Sequence, residues 1–335
     1  MSRSLHHYII VLLLSLVLVV VSSIKHVESG QVTISGISSG GYMAVQFHVA
    51  FSSIVSGAGI IAGGPYYCAN NNVEIAQGAC MAHPERISVS ELIDATDFAA
   101  STFTIDPTSN MANSRVWIYS GTKDTVVVPG VVKKLVEYYQ HYITDNSRIN
   151  TTFDIPSEHS FVTDNFGNHC DYLGPAYINN CGFNTAYALL NSIIPQGVNP
   201  PSPVNSSASN IVQLDQASFI PYGTALEASL WDYAFAYVPP QCQNNDGSCS
   251  VHVAFHGCLQ TIPLINDTFY MNTGYNELAD SNNMIILYPQ AQANPLNPRG
   301  CFDWWGFTGT DYASQLGVQM ATVKRMIDHL LTNYA

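Results

Sequence analysis

The stretch from Gln31 to Val45, QVTISGISSGGYMAV, constrains this chain more than any other. A short β-branched run stops at a serine set among glycines and then resumes with helical spacing. Gly36, Ser38 and Gly40 fit GxSxG, a strand-to-helix turn that only small neighbours allow and that lifts a serine hydroxyl clear of the backbone. Ser38 takes the nucleophile position. The backbone N–H of Ser39 then opens the helix and points at a developing oxyanion. Small-residue turns are common, so the motif alone does not fix a catalytic serine. Its flanks strengthen it: Val32 to Ser35 predicts a strand and Tyr42 to Phe51 a helix.

Further along, Ser56 to Gly64 predicts a buried strand, Glu91 to Ala100 a helix and Arg115 to Tyr119 a strand. GTKDT follows that strand at once and sets Asp124 on the loop at its end. Val131 to Tyr142 has helical spacing, Asn150 to Ile155 predicts another strand, and His159 stands just past it in EHSF. Ser, Asp and His thus each follow a strand, in the order Ser, Asp, His of an α/β-hydrolase. His169 and Asp164 are the rival histidine and acid; His169 lies between cysteines, whereas His159 directly follows its strand.

Residues 195–210, PQGVNPPSPVNSSASN, lack any apolar period and predict an exposed linker between a segment 24–194 and a segment 211–335. The second segment carries strands at Ile211 to Phe219, Trp231 to Val238, Val251 to Phe255 and Met284 to Tyr288, then a helix from Gln315 to Tyr334. Its HVAFHGC holds an HG-type oxyanion loop, which in a hydrolase normally precedes the nucleophile. Joining the terminal helix to QVTISG on paper restores the ordinary order. The expectation is therefore one catalytic domain over 24–335, a circularly permuted α/β-hydrolase with a mostly parallel central sheet flanked by helices, and not two small domains. His256 is expected to shape the loop's backbone instead of acting in catalysis.

Arg3 followed by an apolar run from Tyr8 to Val21 and then Ser22 and Ser23 has the layout of a secretory signal peptide over 1–23, so a secreted, extracellular protein is expected. Fourteen apolar residues are few for a membrane span. Eight cysteines in an exported chain imply disulfides, and short loops favour the sequence neighbours Cys68 with Cys80, Cys170 with Cys181, Cys242 with Cys249, leaving Cys258 with Cys301. Other connectivities stay open from sequence alone. Sequons at Asn150, Asn205 and Asn266 agree with a glycosylating route. With 24 acidic against 11 basic residues, the chain has no electrostatic footprint for nucleic acid or an anionic membrane. No CxxC pair suggests a metal site, and no metal or organic cofactor is expected.

The ordered set GISSGGYMA, IAGGPYYCA, GTKDT, EHSF, HVAFHGCLQ, NTGYNELAD, NNMIILYPQA and GCFDWWG resembles the secreted, fungal-type poly(3-hydroxybutyrate) depolymerases with a permuted hydrolase domain, from about Val32 to the C-terminus. The resemblance implies Ser38 as nucleophile, Asp124 and His159 as its partners, the amides of Ser39 and Cys258 as the oxyanion hole, Trp304 in the substrate site, and the four neighbour disulfides. It implies hydrolysis of a polyester or its oligomers through an acyl-enzyme; separately, a monomer is expected. Phe302 and Phe307 stand where tryptophans are common in the family, so the aromatic lining is expected to differ. The chain ends directly after its last predicted helix, so polymer is expected to adsorb on the catalytic domain's own surface. Trp304 is expected at the mouth of the site with little part in the fold. Other secreted serine esterases, of feruloyl or acetylxylan type, are the nearest alternative; a catalytically inactive polymer- or carbohydrate-binding protein is a more distant one.

Overall fold

The computed structural model describes residues 32–203, 206–244 and 249–335. The expected signal peptide over 1–23 and the Asn205 sequon lie outside the described residues. Eleven strands are described. Eight of them form one sheet: β1 (Val32–Ile37), β2 (Val55–Ile61), β3 (Arg115–Tyr119), β4 (Ile149–Thr152), β8 (Ile211–Asp215), β9 (Tyr233–Tyr237), β10 (Ser250–Phe255) and β11 (Met284–Tyr288). Strands β5 (Phe161–Thr163), β6 (Asn168–His169) and β7 (Ile178–Asn180) make a small second sheet.

The large sheet runs β4-β3-β2-β1-β10-β11-β9-β8. Pairs from β4 through β11 are parallel, and β9 is antiparallel to both β11 and β8. Counted from β8, the strands follow chain order, with β10 and β11 exchanged, up to β10 and then start again at β1 and run on to β4, the pattern of an α/β-hydrolase opened ahead of β1. The first segment thus supplies one half of the sheet and the second the other, and the halves join where β1 is hydrogen-bonded between β2 and β10. Every residue of β1 is buried, as a parallel strand covered on both faces requires.

The principal helices are α1 (Ser39–Ala50), α2 (Val89–Ser101), α3 (Pro129–Tyr142), α4 (Thr185–Ile193), α5 (Tyr275–Asn282) and α6 (Val318–Asn333). Helix α1 is buried along its whole length, which suits its near-continuous apolar and small residues. Its first turn lies so close to the end of β10 that a Cβ on Gly40 would sit 2.4 Å from the His256 carbonyl oxygen, so only glycine fits there. A buried polar chain fixes the register beneath it. The two ring nitrogens of His252 bond Thr33 Oγ1 at 2.8 Å and Ser35 Oγ at 2.7 Å, and Ser35 meets Tyr275 Oη at 2.6 Å.

Some predicted boundaries shift. The run predicted as one strand from Ile211 to Phe219 is extended only to Asp215 and continues as a 3₁₀ turn over Gln216–Phe219. The 195–210 tract is partly tethered: Asn199 bonds Asn282 and Ser281, the Ser202 amide donates to the Glu277 carbonyl, and Ser206 Oγ donates to Glu277 Oε1. Its polar side chains find partners on α5, an outcome that a missing hydrophobic period does not reveal.

Candidate active site

Ser38, Asp124, His159 and Cys258 follow the C-terminal ends of β1, β3, β4 and β10, four of five consecutive parallel strands of one sheet. That edge is where an open α/β sheet gathers functional loops. A cavity of about 720 Å³ at the opposite ends of the strands, among Thr33, Ser56, Ser250 and Met284, touches none of them.

Ser38 occupies φ 57°, ψ −123° between β1 and α1, a conformation that costs a side-chain-bearing residue roughly 1–3 kcal/mol. Two backbone bonds hold it there: its N–H donates to the Ile61 carbonyl at 2.9 Å, and its carbonyl accepts from the Tyr42 N–H at 3.0 Å. A Cβ on Gly36 would lie 2.1 Å from the Gly40 carbonyl oxygen, so the first glycine of GxSxG lets the turn close.

Asp124 and His159 meet as an ion pair, His159 Nδ1 lying 2.8 Å from Asp124 Oδ2, with both residues buried. The other Asp124 oxygen accepts the Val126 and Val127 amides at 2.9 Å each. Burial pushes the imidazole down; the charge of Asp124, its hydrogen bond and the charge of Glu158 push it up, and the net direction is above the ordinary histidine value. His169, the rival, is instead exposed and bonded to Asp171, while Asp164 accepts from Asn184.

Ser38 and His159 border one cavity of about 230 Å³ with Ile37, Val127, Leu173 and Trp304. The HG loop closes over Ser38: a Cβ on Gly257 would lie 3.2 Å from Ser38 Cβ. Within that loop the Gly257 amide donates to Gln260 Oε1 at 2.7 Å, the Leu259 amide to the Arg299 carbonyl at 2.8 Å and the Gln260 amide to the Gly257 carbonyl at 3.3 Å. The Cys258 amide is left as the loop's uncommitted donor among the described residues. The Ser39 amide opens the first turn of α1, where a helix has no internal acceptor.

His256 is buried and structural. Its Nδ1–H donates to the Gly257 carbonyl at 2.7 Å and its Nε2 accepts the Ala291 amide at 3.1 Å, an arrangement only the neutral ring satisfies. Burial accordingly lowers it to about 4. All four disulfides join the expected neighbours, and Cys258–Cys301 ties the HG loop to the Trp304 loop.

Two expectations about the aromatic loop are corrected. Trp304 lines the cavity, yet it is only 6% exposed and stacks on Tyr42, so it belongs to the packed interior as well. Phe302 is fully buried against Phe255 and His256 and does not face the cavity. Its change from tryptophan therefore alters the core under the HG loop, not the lining. Of the sequons, Asn150 is exposed on β4 with its amide on Ser192 Oγ, and Asn266 is exposed.

Sequence reasoning missed two buried polar residues. Gln260 holds the HG loop and reaches the Ala176 and Tyr177 carbonyls at 2.9 and 3.2 Å. Glu158 accepts the His159 amide at 2.5 Å, the Thr125 amide at 3.1 Å and the Thr125 hydroxyl, bridging the loops that carry the histidine and the aspartate. The available signal was position alone: Glu158 adjoins the histidine, and Gln260 ends the HGCLQ motif.

No family model matches the chain. A poly(3-hydroxybutyrate) depolymerase of Delftia acidovorans is 40% identical over 307 residues, which are 91% of this chain and 60% of that protein's length. A polyhydroxybutyrate depolymerase of Talaromyces funiculosus is 32% identical over 325 residues, 92% of each chain. The crystal structure of PHB depolymerase from Penicillium funiculosum superposes with a TM-score of 0.83 at 31% identity, over 92% of this chain and 98% of that one. A serine-to-alanine PHB depolymerase complexed with an R3HB trimer gives a TM-score of 0.83 at 30% identity, with the same coverage.

Proposed function

This chain belongs to the polyhydroxybutyrate depolymerases, and we propose that it is a secreted serine esterase cleaving the ester bonds of poly(3-hydroxybutyrate) or its oligomers. The observation that carries the proposal is the buried His159–Asp124 pair facing the cavity that also holds Ser38. The R3HB trimer bound by a related structure supports the substrate class. So does the lining, since apolar side chains suit a chain of methyl groups and uncharged esters.

In the proposed reaction Ser38 Oγ attacks the ester carbonyl carbon while His159 Nε2 accepts the hydroxyl proton. Asp124 fixes the proton on Nδ1 and stabilises the imidazolium. The carbonyl oxygen becomes an oxyanion facing the Ser39 and Cys258 amides. Collapse of the tetrahedral intermediate breaks the ester C–O bond, and His159 returns the proton to the departing alkoxide. Water, activated by the same histidine, then hydrolyses the acyl-enzyme. Trp304 offers its indole face to the substrate. The four disulfides support an oxidising, extracellular setting, with Asn150 and Asn266 as exposed sites for glycan and a monomer as the working unit.

The test compares two adjacent serines. Ser38→Ala abolishes both hydrolysis of 3-hydroxybutyrate oligomers and labelling by a fluorophosphonate, a loss of several powers of ten. Ser39→Ala keeps its backbone amide and forfeits only the bond its hydroxyl accepts from the Phe302 N–H at 3.3 Å, so much activity survives. A dead Ser39 variant beside an active Ser38 variant overturns the assignment.

A further inference from the structure

A single cation faces both the catalytic cavity and the groove beside it. The 230 Å³ cavity and a neighbouring one of about 580 Å³ share Met81, Cys258, Arg299 and Trp304. Arg299 is the only charged group of the four. Its backbone is fixed to the oxyanion loop by the Leu259 amide, which donates to its carbonyl at 2.8 Å, and by the Cys258–Cys301 disulfide two residues on. Lys123, Lys134, Arg148 and Lys324 each hold a carboxylate, whereas Arg299, like Lys133 and Arg325 away from this site, is exposed and forms no ion pair with any described residue. The protein is otherwise strongly acidic, with a net charge of −13, so a free guanidinium at this edge is the local exception.

We propose that Arg299 binds the terminal carboxylate of acid-ended 3-hydroxyacyl oligomers and so favours soluble acids over uncharged chains of the same length. The inference rests on the depolymerase reading above. A polyester interior is uncharged; its acid end carries a carboxylate, ionised at neutral pH, that matches the planar donor fork of arginine. In such an ester the carboxylate belongs to the alcohol portion that departs from Ser38. Arg299 therefore marks the junction of the two cavities as the leaving-group side. The indole of Trp304, on the same border, covers the methyl-bearing carbons between the scissile ester and that end.

The probes are the 3-hydroxybutyrate trimer acid and its methyl ester. With wild-type enzyme and Arg299→Gln, KM for the acid rises roughly fivefold in the variant at nearly constant kcat, KM for the methyl ester is unchanged, and 0.5 M salt erodes the wild-type preference by about the same factor. Calorimetric titration of Ser38→Ala, with and without Arg299→Gln, reads the same discrimination without turnover. Binding of the acid that does not depend on Arg299, equal loss on both probes, or failure of either probe to bind overturns the proposal. If the acid binds through Arg299 but wild type cleaves neither probe, the carboxylate site stands and the depolymerase reading falls.

Discussion

Trp304 lies nearly flat on Tyr42, with ring centroids 4.1 Å apart and planes 16° from parallel. Tyr42 follows the nucleophile turn in α1, and its phenol donates to the Cys80 carbonyl. Burial, then the charge of Asp124, pushes that phenol well above the ordinary tyrosine value, so it stays neutral and donating. The stack therefore joins the wall of the cavity to the helix that follows Ser38 and to a disulfide loop.

Trp304→Ala consequently lowers both stability and activity. Removing a buried indole costs roughly 3–5 kcal/mol, which shows as a clear drop in Tm. Trp304→Phe keeps a ring over Tyr42 and separates the effects: Tm largely recovers, while hydrolysis of polymer film falls more than that of p-nitrophenyl butyrate. An unchanged Tm for Trp304→Ala contradicts the packing role.

Catalysis through His159 requires the neutral imidazole, and its pKa lies above the ordinary value. The acid limb of kcat/KM therefore falls at higher pH than a free histidine gives. Because the folded pKa is raised, the stability this group contributes is complete below the unfolded pKa and is lost as pH rises through the folded one. Glu158→Gln removes one of the charges that raise it, so the acid limb moves to lower pH. A merely structural Glu158 would reduce kcat without moving that limb, and a pH–rate profile of the two enzymes distinguishes the cases.

Three other histidines titrate in the opposite sense. Burial lowers His48 and His256 to about 4 and His252 to about 3, so all three are neutral in the fold. Their stabilising contribution is complete above the unfolded pKa and is lost as pH falls toward these values. Tm drops by roughly 5–10 °C between pH 7 and pH 4.5. Replacing His252 by glutamine, which also bonds two hydroxyls, flattens that slope; a slope unchanged in the variant would assign the acid sensitivity elsewhere.

The strand pattern and the site loops were legible in sequence for different reasons. Met284 to Tyr288 is a continuous apolar run and Val32 to Ile37 a run of apolar and small polar residues, because parallel central strands are covered on both faces. Ser38 was legible because it directly follows its strand, and Asp124 and His159 because each stands on the loop that follows one. The exposure of Trp304 was not, since adjacent tryptophans give no sign of which one finds a partner like Tyr42 across the fold. Glu158 was equally hidden: its value comes from Thr125, thirty-three positions away, and only the folded chain brings the two together. The Pro/Ser/Asn tract misled for the same reason, as polar residues can dock by hydrogen bonds that carry no periodicity.

The Cys258–Cys301 disulfide joins residues 43 apart in sequence and ties the HG loop to the Trp304 loop. On one side it anchors Cys258, whose neighbour Gly257 lies against Ser38; on the other it holds Cys301, whose N–H and carbonyl are both bonded by Asn297. The neighbouring Asp303 binds the Trp305, Gly306, Phe307 and Thr308 amides. Those bonds keep the Trp304 loop folded without the disulfide. The HG loop, by contrast, relies on Gln260, His256 and the bridge. Cys258→Ala with Cys301→Ala should therefore lower Tm in line with the roughly 3–4 kcal/mol expected for a loop of this length. It should also lower kcat by about tenfold or more through a loosened oxyanion donor, with KM for oligomers changing far less. Rapid loss of oligomer affinity at unchanged kcat would show that the bridge serves the tryptophan loop instead, and would move the oxyanion donor away from Cys258.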